Sequence, residues 1–428
     1  MSYIDHYKKL IEAELKSNKN FYFMKAVTPG ADYFIENGFP LKKKGNERWK
    51  YLDLRNVTNS NFIKSIYEER ISTDFESVLE KLNSCGINIV DDEILIVGDE
   101  DNHLAGRNFI EPDGIGASSP SKTNIGKIAN PEEDGFIALN TAVADITSFW
   151  INENFSKKAL NIVFAGQSQD ERLVTERMCI KILKNTEVTI NEIHFDSNFN
   201  TLNIPVLEIH LDKDSKLIHN KVILGSEKDM NFNFTRVFQE EGSSYQNNSF
   251  CHSPSIGSND IKVIMSGEGS ECDLRGIYFT NNKNQFNTHI TVDHLAPNCK
   301  SNQFFKGVLS DESKAVFSGK IFVDKGAQKT YATQKDLNLL MSKGAEIDTK
   351  PSLEIYADDV ECSHGATAGN VDENSLYYMM ARGIKKETAT RMLVRGFVDE
   401  MINSISDDKI RKFASNQTEL ILPSLAFK

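Results

Sequence analysis

The sequence predicts a mainly β fold with helical regions at both ends, and three observations carry that prediction. From about Leu160 to Val323 the chain is a series of short runs in which β-branched and aromatic residues alternate with polar ones. No long helical segment interrupts those runs, which argues against a βαβ sheet. Before and after them, apolar residues recur at three- and four-residue spacings, the mark of an amphipathic helix.

In chain order, Ile4, Tyr7, Leu10, Ile11 and Leu15 form one helical face. Asn37-Gly38 marks a turn and Pro40 starts an extended piece. Ile94 to Val97 reads as a short strand. Asp99 to Asp134, with Gly, Asn, Pro and Ser throughout, reads as a long loop, and the apolar stretch Phe136 to Phe149 as a helix. The β region then begins, with runs at Leu160–Phe164, Val188–Ile193, Val206–Leu211, Leu217–Leu224, Ile261–Met265 and Ala315–Val323. Met230, Phe232, Phe234 and Phe238 alternate with Asn231, Asn233 and Thr235. Phe286, Thr288, Ile290 and Val292 alternate with Asn287, His289, Thr291 and Asp293.

A sandwich, a barrel and a β-helix all accommodate many short strands. Asn-Gly and Asp-Gly hairpin dipeptides are missing between these runs, with Asn281-Asn282 a candidate turn, which slightly favours a stacked coil over an antiparallel meander. No strict repeat is visible, so periodicity leaves the three architectures open. In the tail, Asp372 is placed to cap a helix through Leu376, Tyr377 and Met380 that Gly383 ends. A second helix from about Lys386 carries a stripe of Ala389, Met392, Leu393, Phe397 and Met401, and Ser406 is placed to cap a short third. Core packing is the ordinary reading of that stripe; a surface for a partner protein is the sharper one.

Bulk composition narrows the function. The chain has 428 residues, enough for a sizeable core, with 39% hydrophobic and 26% charged residues in the globular range. Its formal charge of −12 disfavours nucleic acid, whose affinity comes largely from neutralised phosphates; Lys42-Lys43-Lys44 is the densest basic run and is short. No stretch approaches the ~20 apolar residues that span a bilayer. Met1 to Lys19 lacks the apolar core of a secretory signal, so the chain is expected in the cytoplasm. Six cysteines (Cys85, Cys179, Cys251, Cys272, Cys299, Cys362) never approach a C-x-x-C spacing, which disfavours a zinc ribbon, a thioredoxin-type pair and a complete ferredoxin-type site.

The densest chemistry is Asp358-Asp359-Val360-Glu361-Cys362-Ser363-His364-Gly365-Ala366-Thr367-Ala368-Gly369, read as a loop between a strand at Leu353–Tyr356 and the Asp372 helix. Cys362 and His364 supply a thiol and an imidazole, both ligands for iron, and Gly365 and Gly369 would let the backbone bend around them. By residue type alone, Cys-x-His is more often a loop with a buried thiol and a capping histidine. A cluster usually takes four protein ligands, and this segment offers two, so the rest would come from far along the chain or from another chain. Other chemistries lack their motifs. There is no G-x-x-x-x-G-K-[ST], G-x-S-x-G, H-E-x-x-H or G-x-G-x-x-G. Cys251-His252 would point to opposite strand faces, and His289 and His294 read as a polar strand face and the loop after it.

Around the Cys-Ser-His-Gly-Ala-Thr run the chain resembles the SufB/SufD family of iron–sulfur cluster assembly. The likeness extends to Ser318-Gly319-Lys320-Ile321, Gly326-Ala327-Gln328, Leu337-Asn338-Leu339-Leu340 and Thr349-Lys350-Pro351-Ser352-Leu353-Glu354-Ile355. It continues through Tyr377-Tyr378 and Ala381-Arg382-Gly383-Ile384, and includes Glu47-Arg48-Trp49-Lys50-Tyr51 near the N-terminus. The Ser363 and Gly365 positions, where SufB-type chains usually carry Glu, make it similar to the SufD-type branch.

That resemblance implies a right-handed parallel β-helix core with helical N-terminal and C-terminal regions. The corresponding division is 1–155 for a mixed, mostly helical region, 156–350 for the β-helix and 351–428 for a loop and helical region that docks an ATPase. It implies a non-catalytic scaffold subunit working with a SufB-type paralogue and a SufC-type ATPase, with homodimers when alone. It further implies a transient iron–sulfur cluster shared with the partner at His364 and Cys362, and a reduced flavin in the assembled complex. Met392, Phe397 and Met401 become candidates for the ATPase surface. Two other readings stay open: a stand-alone β-helix enzyme with a histidine general base, and a SufB-like homodimeric scaffold carrying a whole cluster.

Overall fold

A computed structural model describes residues 3–16, 24–41, 48–64, 80, 82, 93–97, 114–117, 125–164, 170–195 and 199–425. Lys42-Lys43-Lys44, Glu47, Cys85 and most of the 99–134 segment lie outside the described residues.

Long strands dominate from Asp145 to Gly369, and they form a parallel β-solenoid, a β-helix with helices at both ends. Successive strands alternate between two sheets, so each pairs in parallel with the strand two places on. Lys216–Leu224 pairs with Ser244–His252, which pairs with Glu271–Thr280. Each coil takes roughly 30 residues, inside the range of solenoid repeats. The corners share a device. Asn185, Asp214, Gly242, Gly269, Asn298 and Lys329 occupy equivalent turns and all have positive φ, between 56° and 69°. Asn, Asp and Gly are the residues that tolerate that conformation; Lys329 is the departure.

Residues at alternate positions of both sheets meet in the lumen. Val188, Ile190, Leu217, Tyr245, Leu274 and Phe305 of one sheet share a core with Ile209, Val237, Ile261, Val263, Ile290 and Phe317 of the other. The outer face of the first sheet carries a ladder of asparagines. Asn161, Asn191, Asn220 and Asn248 are in register, and each amide donates to the preceding one at 2.9 Å. All four are buried, and stacking in register satisfies their amides.

Among the described residues, seven α-helices flank the solenoid: α1 (Tyr3–Lys16), α2 (Met24–Asn37), α3 (Arg55–Asn59), α4 (Gly135–Val143), α5 (Glu373–Ala381), α6 (Lys386–Asn403) and α7 (Asp408–Ile421). Asp134 caps α4, accepting from the amides of Phe136 and Ile137. The stretch read as one helix to Phe149 divides. Ala144 is extended, and Asp145–Ile151 is a strand paired with Glu176–Ile182, where Ile146 and Thr147 suit a strand. Within the segment read as a loop, Ile115–Ala117 is a short strand antiparallel to Phe149–Ile151.

The N-terminal layer covers the outer face of the second sheet. Phe232 and Phe234 point outward into Phe136, Trp49, Phe39 and Phe34, while Asn231, Asn233 and Thr235 point into the lumen. Trp49 lies 5.3 Å from Phe136 and 5.4 Å from His289. Arg236 is fully buried at this seam, paired with Asp260 at 2.9 Å and Glu133 at 2.7 Å. His289 and His294 both lie within the strand Gln285–His294 and are buried, so neither occupies a loop. His294 bonds Ser301 Oγ at 2.8 Å.

The C-terminal helices cover the asparagine-ladder face. Val394, Val398 and Ile402 of α6 pack with Val222, Phe250, Ile277, Phe279 and Val308. That buried stripe includes Ala389 and Met401 of the expected one but is otherwise shifted by one residue. Asp407, not Ser406, caps α7, which runs fourteen residues.

Candidate functional site

The segment expected to be a loop around Cys362 is a strand. Val360–Gly369 is the last strand of its sheet, parallel to Thr330–Leu340. Gly365 and Gly369 sit in open space with no positive φ, so they do not serve as bends. The last strand of the other sheet is Glu346–Ile355, which carries Pro351, a residue confined in sheets largely to edge strands. Both final strands present an edge that no described strand covers. The solenoid is open at this end.

Strand geometry places the two candidate ligands on one face. Cys362 and His364 are two residues apart, about 7 Å along the strand, with side chains pointing the same way. Cys362 aligns with Ala332 and His364 with Gln334, both lumen residues, so the pair stands at the mouth of the lumen. Cys362 is half-buried against Ala332, Ala357 and Val360. Burial pushes its thiol up, with the Ala332 backbone amide opposing. A metal would have to displace that proton to bind the sulfur. His364 is exposed, and its ring makes no hydrogen bond among the described residues. No third His, Cys, Asp or Glu among the described residues gathers with the pair to complete a metal site.

Below the mouth lies a polar stretch of lumen that sequence reasoning did not single out. The register column under His364 runs Gln334, Gln303, Leu274, Asn247, His219. Gln334 and Gln303 are buried, and neither amide finds a hydrogen-bond partner among the described residues. Beside Gln334, Asp336 accepts from Asn338 at 2.6 Å, and Asn338 accepts from the Tyr278 hydroxyl at 2.5 Å. Burial pushes the Asp336 carboxyl up to about 7. Deeper still, Glu192 sits with His194 at 2.6 Å, His219 at 2.9 Å and Lys221 at 3.3 Å. Burial alone would raise the Glu192 carboxyl, but Lys221 and the two imidazoles together hold it well below the usual range. The signal for these residues is polarity at alternate positions, which is visible only once the inward face of each strand is known.

Around the open end several large apolar side chains are exposed among charged ones. No residue of α5 is buried, and Tyr377 and Tyr378 are 68% and 62% exposed. Tyr356, Ile355 and Tyr331 are exposed at the rim as well. The three candidates for an ATPase surface separate. Met392 is 52% exposed, whereas Phe397 is partly buried under Lys306, whose Nζ lies 4.7 Å from its ring and donates to its carbonyl at 2.7 Å. Met401 is buried on the solenoid and is not available to a partner, because α6 turns its Val394–Met401 face inward.

Residues 164–397 match the model of the SUF-system FeS cluster assembly SufBD core domain. Over 386 residues the chain is 25% identical to the iron–sulfur cluster assembly protein SufD of Escherichia coli, covering 88% of each chain. It is 34% identical over 221 residues to the chloroplastic protein ABCI7 of Arabidopsis thaliana, covering 51% of this chain and 46% of that one. A SufBD family protein of Synechocystis is 27% identical over 282 residues, covering 63% and 62%.

Proposed function

The chain belongs to the SufBD core family of the SUF iron–sulfur cluster assembly system and is SufD-like, and from that premise we propose that it is a scaffold subunit whose open solenoid end pairs with a SufB-type paralogue. The nascent cluster is the cargo. His364 and Cys362 supply part of its ligand set and the facing chain supplies the rest. One observation carries this reading: a thiol and an imidazole share a face at the mouth of an uncapped lumen, two ligands short of a cluster cage.

The chemistry suits loading and release. An exposed imidazole beside a half-buried, protonated thiol binds weakly until a second chain closes over it, and it lets go when that chain moves. The docking of a SufC-type ATPase belongs to the exposed side of the C-terminal helices, where Met392 is the accessible member of the expected stripe. ATP-driven movement of those helices would reach the last strands through α5, which joins the two. A reduced flavin, if the complex carries one, would belong to the assembled form, and the cytoplasm is the compartment in which these thiols stay reduced.

The test is reconstitution with a SufB-type paralogue and a SufC-type ATPase. His364→Ala is expected to leave the complex assembled, as judged by co-elution, and to abolish cluster formation followed by its visible absorbance. Cys362→Ser is expected to reduce it. Normal cluster yield from His364→Ala removes that residue from the mechanism. Stoichiometric iron and sulfide on the lone chain would instead favour a homodimeric scaffold.

A further inference from the structure

A second constellation of metal-ligating side chains lies on the outer face of the solenoid, far from the open end. His210 is in the strand Val206–Leu211, Asp212 follows that strand, and Glu240 follows the strand Met230–Gln239, one coil further on. The pairing of His210 with Phe238 brings Glu240 level with Asp212. His210 and Asp212 are two residues apart and share a face. One donor atom from each of the three residues lies within 4.8 Å of the other two, and this is the one such group among the described residues.

The distances fit a coordination shell. His210 Nε2 is hydrogen-bonded to a Glu240 oxygen at 2.9 Å and stands 3.4 Å from Asp212 Oδ1, so an ion would replace the shared proton. Two donors about 2.1 Å from a common ion and 90–110° apart are separated by about 3.0–3.4 Å. Two further observations show that the cluster accommodates a cation. Asp212 Oδ1 is shielded from solvent yet receives no aligned hydrogen bond among the described residues. Lys181, from the preceding coil and 44% exposed, places its ammonium 2.9 Å from that oxygen, the position a cation would take. The His210 ring is fixed edge-on against Phe238 at 5.2 Å, which limits its freedom before any ion arrives.

We propose that His210, Asp212 and Glu240 form a site for one divalent first-row transition ion, such as Fe²⁺ or Zn²⁺, with Lys181 as the competing cation that swings away when the ion binds. One imidazole nitrogen with two carboxylate oxygens is a borderline donor set. It suits these ions better than Cu⁺, which prefers thiolates, or Mg²⁺ and Ca²⁺, which prefer oxygen alone. Two carboxylates balance the charge of a divalent ion, and the open side leaves positions for water or an incoming ligand. The site is about 20 Å from the last strand of its own sheet, counted as four strand spacings. It therefore shares no ligand with Cys362 and His364, and its existence does not depend on their role.

The test is anaerobic calorimetric titration of the full chain with Zn²⁺, Co²⁺ and Fe²⁺, in a Cys362→Ser/His364→Ala background that silences the open end. One equivalent is expected to bind. His210→Ala and Glu240→Gln should each weaken binding by more than about tenfold. Lys181→Met should strengthen it, an effect no simple loss of folding would produce. Bound Co²⁺ should show the visible spectrum of a site with nitrogen and oxygen ligands and no thiolate charge-transfer band. Absence of binding, or equal affinity in the starting protein, His210→Ala and Lys181→Met, overturns the proposal.

Discussion

At the scale of single residues, the lumen holds the sharpest physical anomaly. Asp336 is fully buried and its carboxyl is pushed up by burial to about 7, from an ordinary 3.8. Between those values the unfolded chain has released a proton that the folded protein still holds. Stability therefore falls as pH rises through that window and levels off above about 7, by on the order of a few kcal/mol. Asp336→Asn keeps an oxygen to accept from Asn338 and removes the titration. Urea unfolding at pH 4.5, 6 and 8 should show a slope in the parent that flattens in the variant, with the variant more stable at pH 8 by about 1–3 kcal/mol. A slope that survives the substitution assigns it to another group. Nothing in the sequence marks Asp336 as different from the other carboxylates. Its inward direction follows from the pairing of Phe305 with Asp336, a long-range fact. By contrast, Cys362 and His364 could be named as candidates from the sequence, because their residue types carry chemistry wherever they sit.

At the scale of elements, legibility followed the strength of local signals. The cap at Asp372 was readable because it is written within four residues: its carboxylate accepts from the Ser375 amide at 2.8 Å. The strand Val360–Gly369 was not, since Ser, Gly, Ala and Gly have little strand preference, and its conformation comes from the ladder to Thr330–Leu340. That difference is testable at Gly365. A bend with positive φ would make Gly365→Val cost more than about 1 kcal/mol. An extended strand with open space beside it predicts a change within about 0.5 kcal/mol in chemical denaturation of the lone chain. For α6, the apolar stripe was read one residue out of phase because it contains more apolar residues than one face can bury. Val398→Ala should cost about 1–3 kcal/mol, whereas Met392→Ala should be near neutral for the lone chain.

At the scale of the whole molecule, the repeat escaped sequence reading because the lumen is not built from like residues. One register column runs Ile190, His219, Asn247, Leu274, Gln303, Gln334, His364, with no common chemistry. The repeat is carried instead by the corners, where Asn, Asp or Gly recurs about every 30 residues, and by the asparagine ladder. A search for hairpin dipeptides passes over such single left-handed residues. The solenoid also explains why an open end is unusual. A long uncovered edge invites further pairing, and soluble chains normally cover or charge it. Here Glu346, Asp348, Lys350 and Glu354 charge one edge strand, but Val360–Gly369 carries only Glu361 and His364 among small residues. Hydrogen–deuterium exchange distinguishes an edge that is meant to be covered from one that is merely tolerated. In the lone chain, peptides spanning 346–369 should exchange much faster than those spanning 256–309, whose strands are paired on both sides. On adding a SufB-type partner, the terminal peptides should slow and the central ones should not change. Protection that appears only on the outer helices α6 and α7 would mean that the partner grips the flank, leaving the mouth beside His364 uncovered.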